Sequence, residues 1–296
     1  MSLKVGVLMG GESNERQVSI ATGKAVSAAC KRLGFLVEKL LFRHDYKKFI
    51  NQLKDQDIIF NALHGGIGEN GEIQAWLDKN NIQYTGSGSL VSALCMDKAR
   101  SKTLARIMGF KTADWQLIEN SKQKVKLDLP VVVKPNEQGS TFGLTIVKDK
   151  AMLKIAMEKA FEYGSTVIAE RYIEGREITV PVLGNKVYPI IEIKPLHNLY
   201  DYECKYTPGL TKYFCPAELE PKMTSFIKED TALLFNEFGC DVYSRIDYII
   251  DNDGFYNFLE LNTLPGMTKT SLFPKSVATE GLSFTMLIKK IIELSL

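Results

Sequence analysis

Three short apolar runs open the chain, and their spacing limits the folds open to it. "KVGVLM" (Lys4–Met9), "FLVEKLLF" and "DIIFNAL" have the length and the β-branched or aromatic content of strands. Between the first two runs, about Arg16 to Leu33 reads as a helix, with Val18, Ala21, Ala25 and Ala29 at helical spacing. A second helix, Tyr46 to Leu53, separates the next pair. Such a βαβαβ order predicts a parallel sheet with helices on its faces. "GEIQAWLDKN" adds a further helix and "IQYTG" a short edge.

The texture then changes. "MDKARSKTLARIMGF" reads as a basic helix, "TADWQLIE" and "LPVVVKPN" as strands joined by a polar, Lys-rich link (Asn120–Asp128). "EQGSTFGLTIV" is a Gly-punctuated turn feeding another strand, which predicts an antiparallel hairpin in an α+β layer. A helix (Lys150–Tyr163) and the strand "STVIAERYI" complete that unit. "REITVPVLG" and "KVYPIIEIK" follow as strands, then a Tyr-rich stretch, His197–Pro216, reads as a lid loop. A helix from Lys222 to Phe238 carries Met223, Phe226, Ile227, Leu233 and Leu234 as its stripe. Two strands, "DVYSRIDYIID" and "FYNFLELN", precede a terminal helix.

Composition excludes some roles. Over 296 residues, 37 basic against 35 acidic side chains leave a net charge of +2, no basis for coating nucleic acid or a membrane surface. An anionic substrate would have to meet a local cluster of cations. We see no signal-peptide pattern and no apolar run near the ~20 residues of a membrane span. Five scattered cysteines without a C-x-x-C pair read as reduced thiols of a cytoplasmic protein.

The chemistry concentrates in the last strand pair. Glu260 and Asn262 are two apart in "FLELN", and Arg245 and Asp247 two apart in "SRIDYII", so each pair shares one strand face. A hairpin through "DNDG" (Asp251–Gly254) would set Asp247 across from Glu260. Two carboxylates and a carboxamide then form an oxygen-rich site suited to magnesium and substrate phosphates. On the hairpin alone, a surface strand pair with its charges in solvent stays open. Lys134 ends a β-branched strand before Pro135, where packing gives a lysine no role; Lys98 and Lys205 could each lie on a solvated face. "EQGSTFG" (Glu137–Gly143) offers backbone N–H groups for phosphates. Gly66, Gly68 and Gly71 match G-x-G-x-x-G, but after the third strand and without the acidic partner, and no Walker A motif occurs.

With these residues in hand, the chain resembles the D-alanine–D-alanine ligase family of the ATP-grasp superfamily. The resemblance is carried by "GGESNERQVS", "HGGIGENG", "YTGSG", "MDKARSK", "VVVKP", "EQGSTFG", "YDYECKY", "RIDY" and "LELNTLPGMTKTSL", in that order. It implies an α/β (α+β) three-domain ATP-grasp architecture: an N-terminal parallel βαβ domain (1–95) and two α+β domains (96–175 and 176–296) clamping ATP. It implies ATP-dependent ligation of two D-alanines through an acyl phosphate for peptidoglycan synthesis. Two magnesium ions, replaceable by manganese, and a homodimer are implied as well, with no nucleic-acid or membrane partner.

Roles carry over position by position. Glu15 would bind the first ammonium, and Ser140 with Tyr206 would pair with it and close the lid. Arg245 and the backbone of Gly266 would hold the oxyanion, and Ser271 with Leu272 the second carboxylate. Lys98, Lys134 and Lys205 would meet the phosphates; Glu170, Arg171 and Ile173 the adenine; Glu177 the ribose. Asp247, Glu260 and Asn262 would be the metal ligands. His64 would lie near the first subsite without catalysing. The retained Tyr206 implies D-alanine as second substrate. Two other readings remain at this point: another ATP-grasp carboxylate–amine ligase, and a nucleotide-binding protein without turnover.

Overall fold

A computed structural model describes residues 2–195, 209–268 and 270–296. The first sheet has the order β2-β1-β3, from β1 (Lys4–Gly10), β2 (Leu36–Phe42) and β3 (Ile58–Asn61), all parallel. Helices α1 (Arg16–Arg32), α2 (Ile50–Lys54) and α3 (Glu72–Lys79) complete the expected alternation, and Tyr84 bridges β3 as the short edge. β1 and β3 are buried almost throughout, as strands sandwiched between helix layers should be.

Helix α4 (Ser89–Met96) leads directly into α5 (Lys98–Ile107), whose N-cap is Asp97. The second sheet, β4-β7-β5-β6, is antiparallel and combines β4 (Trp115–Ile118), β5 (Val131–Pro135), β6 (Thr145–Val147) and β7 (Val167–Arg171). Val131, Val133 and Val147 pack there on Ala156, Met157 and Ala160 of α6 (Leu153–Phe161).

The third sheet follows the path β11-β10-β8-β12-β13: β8 (Gly175–Leu183), β10 (Ile191–Pro195), β11 (Thr211–Phe214), β12 (Tyr243–Asp251) and β13 (Tyr256–Asn262). The two-residue β9 (Lys186–Val187) pairs with β8 off that path. α7 (Pro221–Glu237) covers one face, with Ile227, Leu234 and Phe235 against Ile178, Val180, Ile246 and Phe258. Two helices end the chain, α8 (Leu272–Thr279) and α9 (Phe284–Ser295). The last of these returns to the first: Leu287, Ile288, Ile291 and Ile292 share a core with Val26, Ala29 and Cys30 of α1.

Several expectations need correction. In α1 the buried face is Val18, Ser19, Thr22, Gly23, Val26, Ala29 and Cys30, whereas Ala21 is exposed and Ala25 half-buried. Alanine is small enough to stand on either side of the stripe. In α7, Phe226 and Leu233 face outward, and the buried face takes Thr231 instead, whose hydroxyl bonds the Tyr248 hydroxyl at 2.9 Å. The run "KVYPIIEIK" is two strands, because Pro189 has no N–H for the ladder. The helix foreseen at Lys150–Tyr163 begins as a 3-10 turn, Lys150–Met152. The single terminal helix is two, and the stretch read as a lid loop contains β11. The remainder of that stretch, with Lys205 and Tyr206, lies outside the described residues.

Candidate active site

The hairpin formed by β12 and β13 sets the geometry. Its register pairs Arg245 with Asn262 and Asp247 with Glu260, as the period of two and the "DNDG" turn predict. A bulge between Asp247 and Tyr248 interrupts the ladder there; irregularities of this kind re-aim side chains beside functional sites. Arg245 clasps Asp247 with both arms, Nε to Oδ1 at 3.0 Å and Nη2 to Oδ2 at 2.8 Å. Thr179 of β8 donates to the same carboxylate from the other side. The Asn262 carboxamide oxygen accepts from the Leu264 N–H at 2.9 Å.

Helix α5 faces this hairpin across the cavity. Asp97 caps it, and Asn136, just past β5, locks its first turn by donating to Asp97 and accepting from the Ala99 N–H, both at 2.9 Å. That clamp directs Lys98 inward, where its ammonium donates to the Gln138 carbonyl at 2.8 Å and lies 3.5 Å from Glu260. Lys98 is therefore buried, not on a solvated face.

One turn further along α5, Lys102 reaches the strand β7 carboxylate Glu170, with Nζ 3.0 Å from Oε2. Lys134 of β5 bonds the other oxygen, Oε1. Each Glu170 oxygen is thus met by one lysine, Oε1 by Lys134 and Oε2 by Lys102. Burial would raise the Glu170 carboxyl, but Lys102 and Lys134 outweigh it and hold it down at about 2. Burial pulls the Lys102 ammonium below its usual range while Glu170 opposes that shift. Lys102 stands inside the quoted "MDKARSK", yet nothing in that stretch marks it: two lysines four apart on a helix look like a wet face.

The third corner comes from the N-terminal unit. Glu15, at the start of α1, is buried and accepts a hydrogen bond from the Ser140 hydroxyl. Ser140 and Thr141 have φ of 49° and 65°, an unusual conformation for residues with a Cβ. Gly139 and Gly65 permit the close approach, since a Cβ at either would come within 3.0 and 2.9 Å of Glu15 Oε2. His64 bonds Thr22 at 3.0 Å and lies 3.5 Å from Glu69. Ser271 precedes α8, accepts from the Thr268 N–H at 2.9 Å, and sits against Gly266.

These groups line one cavity of about 760 Å³. Glu15, Ser140, Lys98, Lys134, Glu170, Arg171, Ile173, Glu177, Arg245, Asp247, Glu260, Asn262, Gly266 and Ser271 all border it, as do His64 and Leu272. Gly66 and Gly71 do not, and the glycine run instead forms a 3-10 turn leading into α3.

Comparison with known proteins gives this cavity its context. Residues 38–87 match the family model described as D-ala D-ala ligase N-terminus, and residues 101–293 that described as D-ala D-ala ligase C-terminus. The chain belongs to the D-alanine–D-alanine ligase family. It is 40% identical to the D-alanine–D-alanine ligase of Halalkalibacterium halodurans over 99% of both chains. With that of Actinobacillus pleuropneumoniae serotype 5b it shares 42% over 99% of this chain and 98% of the other. Among solved structures it resembles the Bacillus anthracis D-alanine–D-alanine ligase complexed with ATP, with a TM-score of 0.88, 36% identity, and coverage of 100% and 97%. The VanG D-Ala:D-Ser ligase of Enterococcus faecalis superposes with a TM-score of 0.85 at 28% identity, both chains fully covered. The family and ATP-grasp fold expected from the motifs are thus borne out. No helix among the described residues is long and apolar enough to cross a membrane.

Proposed function

We propose that this chain is an ATP-dependent ligase that joins two D-alanines into D-alanyl-D-alanine for peptidoglycan synthesis. One observation carries the reading: a carboxylate for an ammonium (Glu15), cations for phosphates (Lys98, Lys134), Arg245 for an oxyanion and a helix N-terminus for a carboxylate share one cavity.

A carboxylate oxygen of the first D-alanine attacks the γ-phosphorus of ATP. The bond to the bridging oxygen breaks and ADP leaves. The neutral amine of the second D-alanine attacks the resulting acyl phosphate, the nitrogen gives up one proton, and the tetrahedral intermediate expels phosphate to leave the amide with its single N–H. Glu15 holds the first ammonium, with Ser140 and Tyr206 linked to it and assisting proton removal. Arg245 and the Gly266 N–H stabilise the oxyanion. The second carboxylate rests on Ser271 and the opening turn of α8, whose first backbone N–H groups have no partner within the helix. Lys98, Lys134 and Lys205 hold the phosphates, Glu170 takes the adenine amino group, Arg171 and Ile173 flank the ring, and Glu177 binds the ribose.

Asp247, Glu260 and Asn262 fit a hard divalent cation, because they bring two carboxylates and a carboxamide oxygen to one strand pair. We assign them two magnesium ions, with manganese as substitute; bound there, the ions neutralise charge on the transferring phosphoryl group. The domain limits 1–95, 96–175 and 176–296, a homodimer and a cytoplasmic setting belong to the same proposal. Nucleic acids and membranes have no part in it.

D-Alanine labelled with ¹⁸O in its carboxylate tests the mechanism. An acyl phosphate route transfers one label per turnover into inorganic phosphate, read by mass spectrometry. Unlabelled phosphate accompanying dipeptide formation would rule the route out.

A further inference from the structure

Helix α5 points two lysines into the cavity, and only Lys98 has been given work so far. Lys102 is 1% exposed, and its ammonium is held from two sides. On one side stands Glu170 at 3.0 Å, on the other the Thr112 hydroxyl at 2.8 Å. Thr112 passes its own proton to the Phe258 carbonyl of β13 at 2.8 Å, and the Phe258 N–H returns to the Lys111 carbonyl at 2.7 Å. An unbroken chain therefore runs from β7, in the second sheet, through Lys102 and Thr112 to β13, two residues before Glu260.

Lys134 meets the same carboxylate differently. It comes from the end of β5, beside the loop that carries Ser140 and Thr141, and it bonds Glu170 without a second anchor among the described contacts. Two buried ammoniums against one carboxylate leave one positive charge in excess within the cavity wall. A buried charge without a full counter-charge is costly, and an arriving anion removes that cost. One lysine must turn to the anion while the other stays with Glu170. Lys102 is tied through Thr112 to another sheet; Lys134 is the one able to turn.

We propose that Lys102 is a positioning residue for nucleotide binding: the fixed counter-ion of Glu170, it holds that carboxylate in place and releases Lys134 to exchange it for a nucleotide phosphate. Without Lys102, the turn of Lys134 would strand a buried carboxylate. The inference rests on the ligase reading for the identity of the nucleotide, and its test reads nucleotide binding directly.

A fluorescent N-methylanthraniloyl ATP is titrated with magnesium into the wild type, Lys102→Met, Glu170→Gln and the double variant, with circular dichroism recording the folded fraction. Lys102→Met is expected to weaken binding about 10- to 100-fold, or about 1.4–2.8 kcal/mol. The KM for ATP should rise in parallel while that for D-alanine stays within about twofold. With the carboxylate neutralised, Lys102 has nothing to balance, so the double variant should bind within about threefold of Glu170→Gln alone. Unchanged binding by folded Lys102→Met overturns the proposal, and so do losses that simply multiply in the double variant. Should Lys102→Met not fold, Thr112→Val decides by removing the far anchor: weaker binding, by about threefold, supports the proposal, and unchanged binding overturns it. A wild type that binds nucleotide but ligates no D-alanine refutes the ligase reading and leaves this test intact.

Discussion

Glu170 and Glu260 are both strand carboxylates met by lysines of the same helix, yet they live under opposite conditions. Glu170 is 3% exposed and faces two ammoniums, Lys102 at 3.0 Å and Lys134 closer still. Glu260 has 28% of its side chain exposed and lies 3.5 Å from Lys98. The first is met inside the protein, with one ammonium to spare, before any ligand arrives. The second keeps access to solvent, which suits a group that takes and gives up ligands in each turnover. Burial thus divides the cavity into an enclosed end at Glu170 and a solvent-reached end at Glu260.

Deleting each charge in turn separates the two carboxylates by what they contribute to stability. Glu170→Leu strands two buried ammoniums and should lower unfolding free energy by about 3–5 kcal/mol, whereas Glu260→Leu should cost no more than about 1 kcal/mol. Urea unfolding would measure both; equal losses would erase the distinction. Activity should sort them the other way. Glu260→Gln should keep its melting temperature and lose about 10²–10³-fold in kcat, in a steady-state ADP-release assay.

Acid titration sharpens the contrast. Glu170 is held at about 2 in the folded chain against an ordinary 4.5. A depressed carboxyl contributes stability that is complete above the ordinary value and is lost as pH falls from 4.5 towards 2. Glu170→Gln should therefore flatten the decline in thermal stability through that window, and a decline as steep as that of the wild type would contradict it. The smallest effect concerns the third corner. Ser140→Ala removes the hydroxyl that bonds Glu15 and should cost about tenfold in kcat/KM for D-alanine, with nucleotide affinity intact.

The two carboxylates also show what could be read from the sequence. Glu260, Asn262, Arg245 and Asp247 were legible because a strand's period of two and a short turn fix which side chains meet, all within 18 residues. Lys102 was not, because its partners Glu170, Thr112 and Phe258 come together only when two sheets close on α5. The parallel first sheet followed from alternation alone, but the face α1 buries was misjudged, since small residues carry little pattern. Nothing in "EQGSTFG" announces the left-handed backbone at Ser140 and Thr141, where Ser140 meets Glu15, 125 residues away. β11 was hidden because its strand pattern is short and alternates exposed with half-buried residues.

The proposed function couples, in this one cavity, ATP cleavage to peptide-bond formation between D-amino acids. It is tested most directly by measuring ADP release with ATP, magnesium and D-alanine, and identifying the product by mass spectrometry. L-alanine, and D-alanine mixed with D-serine or D-lactate, run alongside. ADP and D-alanyl-D-alanine should form in equal amounts, with nothing from L-alanine and with D-alanine preferred as second substrate. ADP release that ignores D-alanine, or a mixed product formed in preference to the D-alanine dipeptide, would contradict it.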